Sequence, residues 1–344
     1  MTLDTMKFAT IRSLQREELS RDGMFVLVDQ TRQLVQTVGE MSSLVSVLES
    51  WESARPLLEQ EFNEFLSDGD PKDAIPFSEV EFLAPIPRSY SFLDGSAFLS
   101  HVRRVRKARG APLPPRLEQI PLMYQGVSAP LLSWNEDIPL GRDEYGLDFE
   151  AEFAVVLRDT PQGISAKEAG DYICLLVLLN DVSLRELIPD EVGTGFGFIK
   201  SKPPSSFAPF AIEPRDLGTG WKNGRVFLPV TVSRNSDQFG CVHGGEMHFS
   251  FGELIAHAAA TRPLPAGSII GSGTVSNDSL DSGFACIVEK RMQEIIDSGA
   301  ASTPYLKPDE TIAINCHQDG VSLFGEIKQK VTAPHELEFS LRRH

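Results

Sequence analysis

Three acidic residues spaced two apart give this sequence its sharpest chemical feature. The stretch LDFEAEFAVVL, Leu147 to Leu157, places Leu147, Phe149, Ala151, Phe153, Val155 and Leu157 on one face of a strand and Asp148, Glu150 and Glu152 on the other. The second face turns apolar again at Ala154 and Val156. Like charges on neighbouring same-face positions repel, so the pattern calls for open water, as on a solvated edge strand, or for a cation. Asp181 ends the apolar run ICLLVLLND, which has the continuous character of a strand buried on both faces. A carboxylate at the mouth of such a strand suits a site, although the SLREL that follows also permits a helix N-cap worth about 1 kcal/mol. Oxygen donors without His or Cys in these segments select Mg²⁺, Ca²⁺ or Mn²⁺ over zinc. His101 lies seven residues after Asp94, about two turns along a helix. It stands in a basic stretch with Arg103, Arg104 and Arg106, whose ordinary setting is the surface.

These groups need a scaffold, and strands supply most of it. Short β-branched or apolar runs predict strands at Ala151 to Leu157, Ile173 to Leu179, Val226 to Val232, Ile269 to Val275, Ala285 to Glu289, Thr311 to Asn315 and Glu326 to Val331. Helices are expected at Ser96 to Lys107 and Phe251 to Ala260. Ahead of them, Met24 to Val28 and Leu34 to Val38 read as strands, and Leu44 to Phe65 as an amphipathic helix that Pro56 bends or interrupts. The turn-rich SDGDPKDAIP, Ser67 to Pro76, is the candidate linker. The expectation is a small β-rich N-terminal domain over residues 1–78 and a catalytic domain over 79–344. Without regular βα alternation the class is α+β, mainly β. Gly193, Gly195 and Gly197 do not satisfy a dinucleotide motif and follow no suitable strand.

The 344 residues carry 32 Lys and Arg against 48 Asp and Glu, and a net charge of −16 opposes nucleic-acid binding. The longest apolar run is one short strand, so no membrane span is expected. The opening MTLDTMKFAT shows no charged region leading into an apolar core, which predicts a cytoplasmic protein without a secretory signal. Cys174, Cys241, Cys286 and Cys316 are scattered in the manner of reduced thiols.

DGSAFLSH, the LDFEAEF strand, NDVSLRE, KPPSSFAP and GSGTVSN with CIVEKR occur together in an order and spacing that resembles the fumarylacetoacetate hydrolase family, from about residue 85 to 331. The resemblance implies a mixed β-roll catalytic domain, a small and often barrel-like N-terminal domain, and a homodimer. It makes Asp94, Glu150, Glu152 and Asp181 ligands of a divalent cation, Mg²⁺ first and Ca²⁺ or Mn²⁺ as alternatives. His101 becomes the general base and Glu289 the acid that orients it. Lys202 and Ser206 match a Lys and a hydroxyl four residues apart near the metal. Arg185 and Thr274 match substrate contacts, as does Tyr124 in PLMYQG. Asp148 matches no family role and is read as structural. One departure is Ile188, three residues beyond Arg185, where eukaryotic members carry a substrate-binding glutamine.

The implied activity is hydrolysis of a carbon–carbon bond in a 1,3-diketone acid, of the fumarylacetoacetate or acylpyruvate type. His-activated water attacks, and a metal-stabilised enolate leaves. A metal-dependent 2-oxo acid decarboxylase, tautomerase or hydratase is the second reading, since one scaffold hosts several chemistries. A non-catalytic, metal-stabilised binding protein is the third. The expected partner is a small diketo or oxo acid.

Overall fold

The computed structural model describes residues 5–12, 21–39 and 41–333. The outer ends of both expected domains, with the first four residues of the MTLDTMKFAT reading, lie outside that range. Twelve strands among the described residues form the main sheet. Its central path runs Lys7–Arg12, Phe210–Ile212, Ile173–Asn180, Ala151–Leu157, Ile269–Gly271, Phe92–Gly95 and Met123–Gln125. On this path neighbours are antiparallel except Ile269–Gly271 against Phe92–Gly95, which run parallel. A five-stranded sheet holds Asp237–His243, Pro229–Arg234, Thr311–Asn315, Ile327–Thr332 and Ile138–Pro139. The architecture is the expected sheet-dominated α+β type. The N-terminal strands do not close into a barrel, because Lys7–Arg12 pairs onto Phe210–Ile212 of the main sheet.

The strand Ala151–Leu157 is buried on both faces. Phe153, Val155 and Leu157 pack with Val230, Val232, Ile312 and Ile314. Ala154 and Val156 pack with Phe8, Leu27, Leu58 and Phe62 of the N-terminal region. Flanked by Ile173–Asn180 and Ile269–Gly271, it is no solvated edge, so its carboxylates sit in protein interior.

Several element boundaries differ from expectation. Ala285 to Glu289 is not a strand. Cys286 is extended, at φ −151° and ψ 159°, and caps a helix over Ile287–Ser298. Ile287 and Val288 suggest a strand, yet the EKRMQEI that follows consists of good helix formers. The helix expected over Leu44 to Phe65 divides into Leu44–Glu49 and Trp51–Ser67 at Ser50, and Pro56 lies inside the second piece, giving up a single N–H bond there. Val226 to Val232 splits into Arg225–Val226 and Pro229–Arg234. The run from Ile269 ends as a strand at Gly271, ahead of the turn at Gly273, whose φ is 75°. Among the described residues no helix is long and apolar enough to cross a membrane.

Candidate metal and acid–base site

Three strands of the main sheet deliver the carboxylates: Ile173–Asn180, which Asp181 directly follows, its neighbour Ala151–Leu157, and Phe92–Gly95, with Ile269–Gly271 lying between the last two. Asp94 stands in Phe92–Gly95, in register with Gly271, and Gly273 N–H donates to its Oδ1 at 3.0 Å. Glu152 faces Leu179 across the antiparallel pair, and Asp181 N–H donates to the Glu150 carbonyl at 2.9 Å. Carboxylate oxygens of Asp94, Glu152 and Asp181 lie within 4.8 Å of one another, and all three residues are buried. Both Glu152 oxygens lack a hydrogen-bond partner at 0% exposure. Burial, then repulsion from Asp94 and Asp181, pushes the Glu152 carboxyl well above its ordinary range. Burial and Asp181 push Asp94 up to about 8. A buried carboxylate without a donor is costly, and an oxygen-only set with orphaned atoms fits a hard divalent cation.

Asp94 fits there because Gly271 has no side chain: a Cβ at that position would come 2.2 Å from Asp94 Oδ1. Gly271→Ala is therefore expected to push the carboxylate aside, weakening Mg²⁺ affinity at least tenfold while lowering stability by only about 1–3 kcal/mol. Calorimetric titration alongside denaturant unfolding measures both quantities; unchanged Mg²⁺ affinity would show that Asp94 is no ligand.

Glu150 is a hub of cations instead of a member of this trio. Lys202 Nζ donates to Glu150 Oε1 and to Ser183 Oγ, each at 2.7 Å, and also reaches Asp181. Arg185 pairs with Asp148 at 2.8 Å and with Glu150 at 3.0 Å. Thr274 Oγ1 donates to Glu150 Oε2. Burial opposes ionisation of Glu150, yet Arg185 and Lys202 together hold its carboxyl below the usual range. The Tyr124 hydroxyl donates to Asp181 at 2.5 Å. Ser206 does not join the cluster: its hydroxyl accepts from Gln329 at 2.7 Å. Ser205 is the residue that donates to Asp181, at 2.6 Å. Successive side chains point oppositely in extended chain, so only one serine of KPPSS can face the carboxylates, and here it is Ser205. Asp148 accepts the Ile287 and Val288 N–H groups at 2.7 and 2.9 Å, securing the N-terminus of the helix Ile287–Ser298.

His101 lies on Leu99–Ala108, at the end of a cleft of about 200 Å³ that also exposes Asp94, Tyr124, Glu150, Arg185, Lys202 and Thr274. Its Nδ1 is 3.6 Å from Glu289 Oε2, and neither atom has a hydrogen-bond partner. The separation exceeds a hydrogen bond, and the two unpartnered atoms face one another across it. Glu289 is 1% exposed, and its Oε1 accepts from Ser276 at 2.5 Å and from Arg104. Burial works against the Glu289 anion, and His101 and Arg104 outweigh it, so the carboxyl stays below its ordinary value. Sequence reasoning gave Arg104 no role of its own and overlooked Ser183, Ser205 and Ser276. Isolated serines and one arginine among several carry no distinguishing pattern.

Fold and cleft together define an α+β protein whose buried carboxylates and cations converge on one small-molecule cavity. The chain belongs to the fumarylacetoacetate hydrolase family: the Fumarylacetoacetate (FAA) hydrolase C-terminal model matches residues 91–332, and the Fumarylacetoacetase N-terminal domain 2 model matches residues 6–88. An uncharacterized protein of Pyrococcus abyssi is 29% identical over 163 residues, 45% of this chain and 67% of that one. Among solved structures, maleylpyruvate hydrolase of Sphingobium sp. SYK-6, in complex with manganese(II) and pyruvate, superposes with TM-score 0.61 at 15% identity, covering 95% of this chain and 99% of that one. The 2-hydroxyhepta-2,4-diene-1,7-dioate isomerase of Mycobacterium marinum superposes with TM-score 0.59 at 16% identity, over 96% and 99%.

Proposed function

We propose that this chain is a metal-dependent hydrolase that cleaves a carbon–carbon bond in a 1,3-diketone acid of the acylpyruvate or fumarylacetoacetate type, with Mg²⁺ as its first choice of cation and Mn²⁺ or Ca²⁺ as alternatives. The observation that carries this reading is the placement of His101, backed by Glu289, on the same cleft as Asp94, whose carboxylate clusters with Asp181 and the donor-less Glu152. A divalent cation held by Asp94, Glu152 and Asp181, with Glu150 adjacent, would supply Lewis-acid polarisation of the substrate's oxygens. Once Nδ1 closes from 3.6 Å to hydrogen-bond range, Glu289 Oε2 would accept Nδ1–H of His101 and so fix the tautomer whose Nε2 is free to take a proton from water. The hydroxyl goes to the acyl carbon. His101 then returns the proton to the departing carbon, giving a carboxylate and a keto acid. Lys202, charged at neutral pH because Asp181 and Glu150 outweigh its burial, offsets negative charge on the substrate. The domain border near residue 78, homodimeric assembly and cytoplasmic location belong to the same proposal and rest on the sequence reading.

A decarboxylase, tautomerase or hydratase remains the second reading, favoured by the structural likeness to an isomerase and by Ile188, which lines the cleft where a polar contact would serve a fumarylacetoacetate-like substrate. Loss of near-ultraviolet diketone absorbance across a panel of acylpyruvates, with oxaloacetate in parallel, separates the two. Mg²⁺-dependent loss with acylpyruvates supports hydrolysis. Turnover of oxaloacetate alone would move the assignment to the second reading, and no turnover of either by metal-loaded protein would favour a binding protein.

A further inference from the structure

The helix Leu99–Ala108 carries His101 and, three residues on, Arg104, so both side chains leave one face. Each ends at Glu289, and they take different oxygens. Arg104 reaches Oε1, where Ser276 also donates, and Oε2 is left facing the imidazole. The rest of the guanidinium is fully engaged. Nε donates to Gln293 Oε1 at 3.1 Å, one terminal nitrogen to the Asn277 carbonyl at 3.1 Å, and the carbon of the fork lies 5.7 Å from the centre of the Phe284 ring. Ser100, beside His101, donates to Ser276 at 2.7 Å and completes the brace. Arg104 is 9% exposed and does not line the cleft, so it cannot touch a substrate there.

We propose that Arg104 is a positioning residue for the acid–base pair: it locks the Glu289 carboxylate with one oxygen reserved for His101, and it shares that carboxylate's charge. The proposal rests on the hydrolytic reading for its kinetic consequence and on the structure alone for its spectroscopic one. A planar fork can hold Gln293, Glu289 and a carbonyl at once, whereas an ammonium is a point charge without that reach. With Arg104 gone, the imidazole meets an undivided negative charge, which favours imidazolium and withdraws the base at neutral pH. The other charged groups that share the cleft with the imidazole are Glu150, just ahead of the strand Ala151–Leu157, Arg185 and Lys202 from the following segments, and Asp94 and Arg109 at the cleft wall. Cys286, on the helix side, has its thiol pushed well up by burial and stays neutral.

The test compares Arg104→Gln and Arg104→Lys with wild type by histidine NMR in the absence of substrate, and by kcat and KM on the acylpyruvate panel with Mg²⁺. Arg104→Gln is expected to raise the pH at which His101 titrates and to lower kcat about 10- to 100-fold, with KM and Mg²⁺ affinity within about twofold. Arg104→Lys restores the titration midpoint but not kcat. His101 titrating as in wild type in folded Arg104→Gln overturns the proposal. Should that variant not fold, Ser276→Ala removes the second donor from the same oxygen and must shift His101 in the same direction, and an unshifted imidazole there overturns the proposal too. If wild type hydrolyses no diketone, the hydrolytic reading fails while the NMR comparison still decides the role of Arg104.

Discussion

His101→Ala is expected to lower kcat/KM for acylpyruvates by about 100- to 10,000-fold while leaving Mg²⁺ affinity within about twofold of wild type. The split follows from placement. The imidazole sits on a helix at the cleft wall with Glu289 behind it, whereas the carboxylates that converge stand in strands of the main sheet or, for Asp181, directly after one. Removing the imidazole takes away the proton acceptor and leaves every oxygen ligand in place. It also leaves Glu289 braced by Arg104 and Ser276, so the fold should hold. Kinetics on the panel, with calorimetric Mg²⁺ titration of the same preparations, measures both effects. Substantial hydrolysis by the variant removes His101 from the mechanism, and a parallel loss of metal affinity makes it a ligand.

Glu152→Gln should move stability in opposite directions with and without metal. In the stripped protein, Glu152 has two buried oxygens without donors, beside Asp94 and Asp181, and a neutral amide removes that repulsion and brings N–H groups to neighbouring carboxylates. The melting temperature of the stripped variant therefore rises above that of stripped wild type. With Mg²⁺ at a hundredfold excess over Kd, wild type gains about 2.7 kcal/mol from binding to the native state alone, and the variant forfeits most of that together with activity. Oxalate, a planar two-oxygen chelator, extends the same test: it stabilises metal-loaded wild type further and leaves the stripped protein nearly unchanged, because its charge meets bare carboxylates. Equal stabilisation of stripped and loaded protein by oxalate would falsify metal anchoring of the substrate. Wild-type metal affinity in Glu152→Gln would remove that residue from the ligand set.

How far the sequence disclosed this site depended on whether a residue's role left a periodic trace. Glu150 and Glu152 stand out because a period of two cannot place them among Phe153 and Val155 without putting them on one face, and Asp181 stands out because it ends a run apolar on both faces. The strand cores were legible for the same reason. Ser205 and Ser206 were not distinguishable, because one residue's shift reverses the face and nothing local sets it. The helix after Cys286 was missed because Ile287 and Val288 carry β-propensity, while its start is fixed by Asp148, 139 residues away from Ile287 in sequence. Arg104 did not stand out from its basic neighbours because its partners, Gln293 and Glu289, come from an element not recognised as a helix.

The pairing of Lys7–Arg12 with Phe210–Ile212 bears on what can be inherited, exchanged or expressed as a unit. Two family models divide the chain between residues 88 and 91, so in sequence the halves look like interchangeable modules. Their hydrogen-bond ladder runs through that division, and Phe8, Leu27 and Leu58 cover Leu175, Val177 and Phe207. A catalytic half made alone would present Phe210–Ile212 as an open ladder above an uncovered apolar layer, an invitation to self-association. Shuffling the N-terminal half between relatives would likewise have to preserve the register Lys7 to Ile212 and Ala9 to Phe210, which joins the two halves in one hydrogen-bonded ladder.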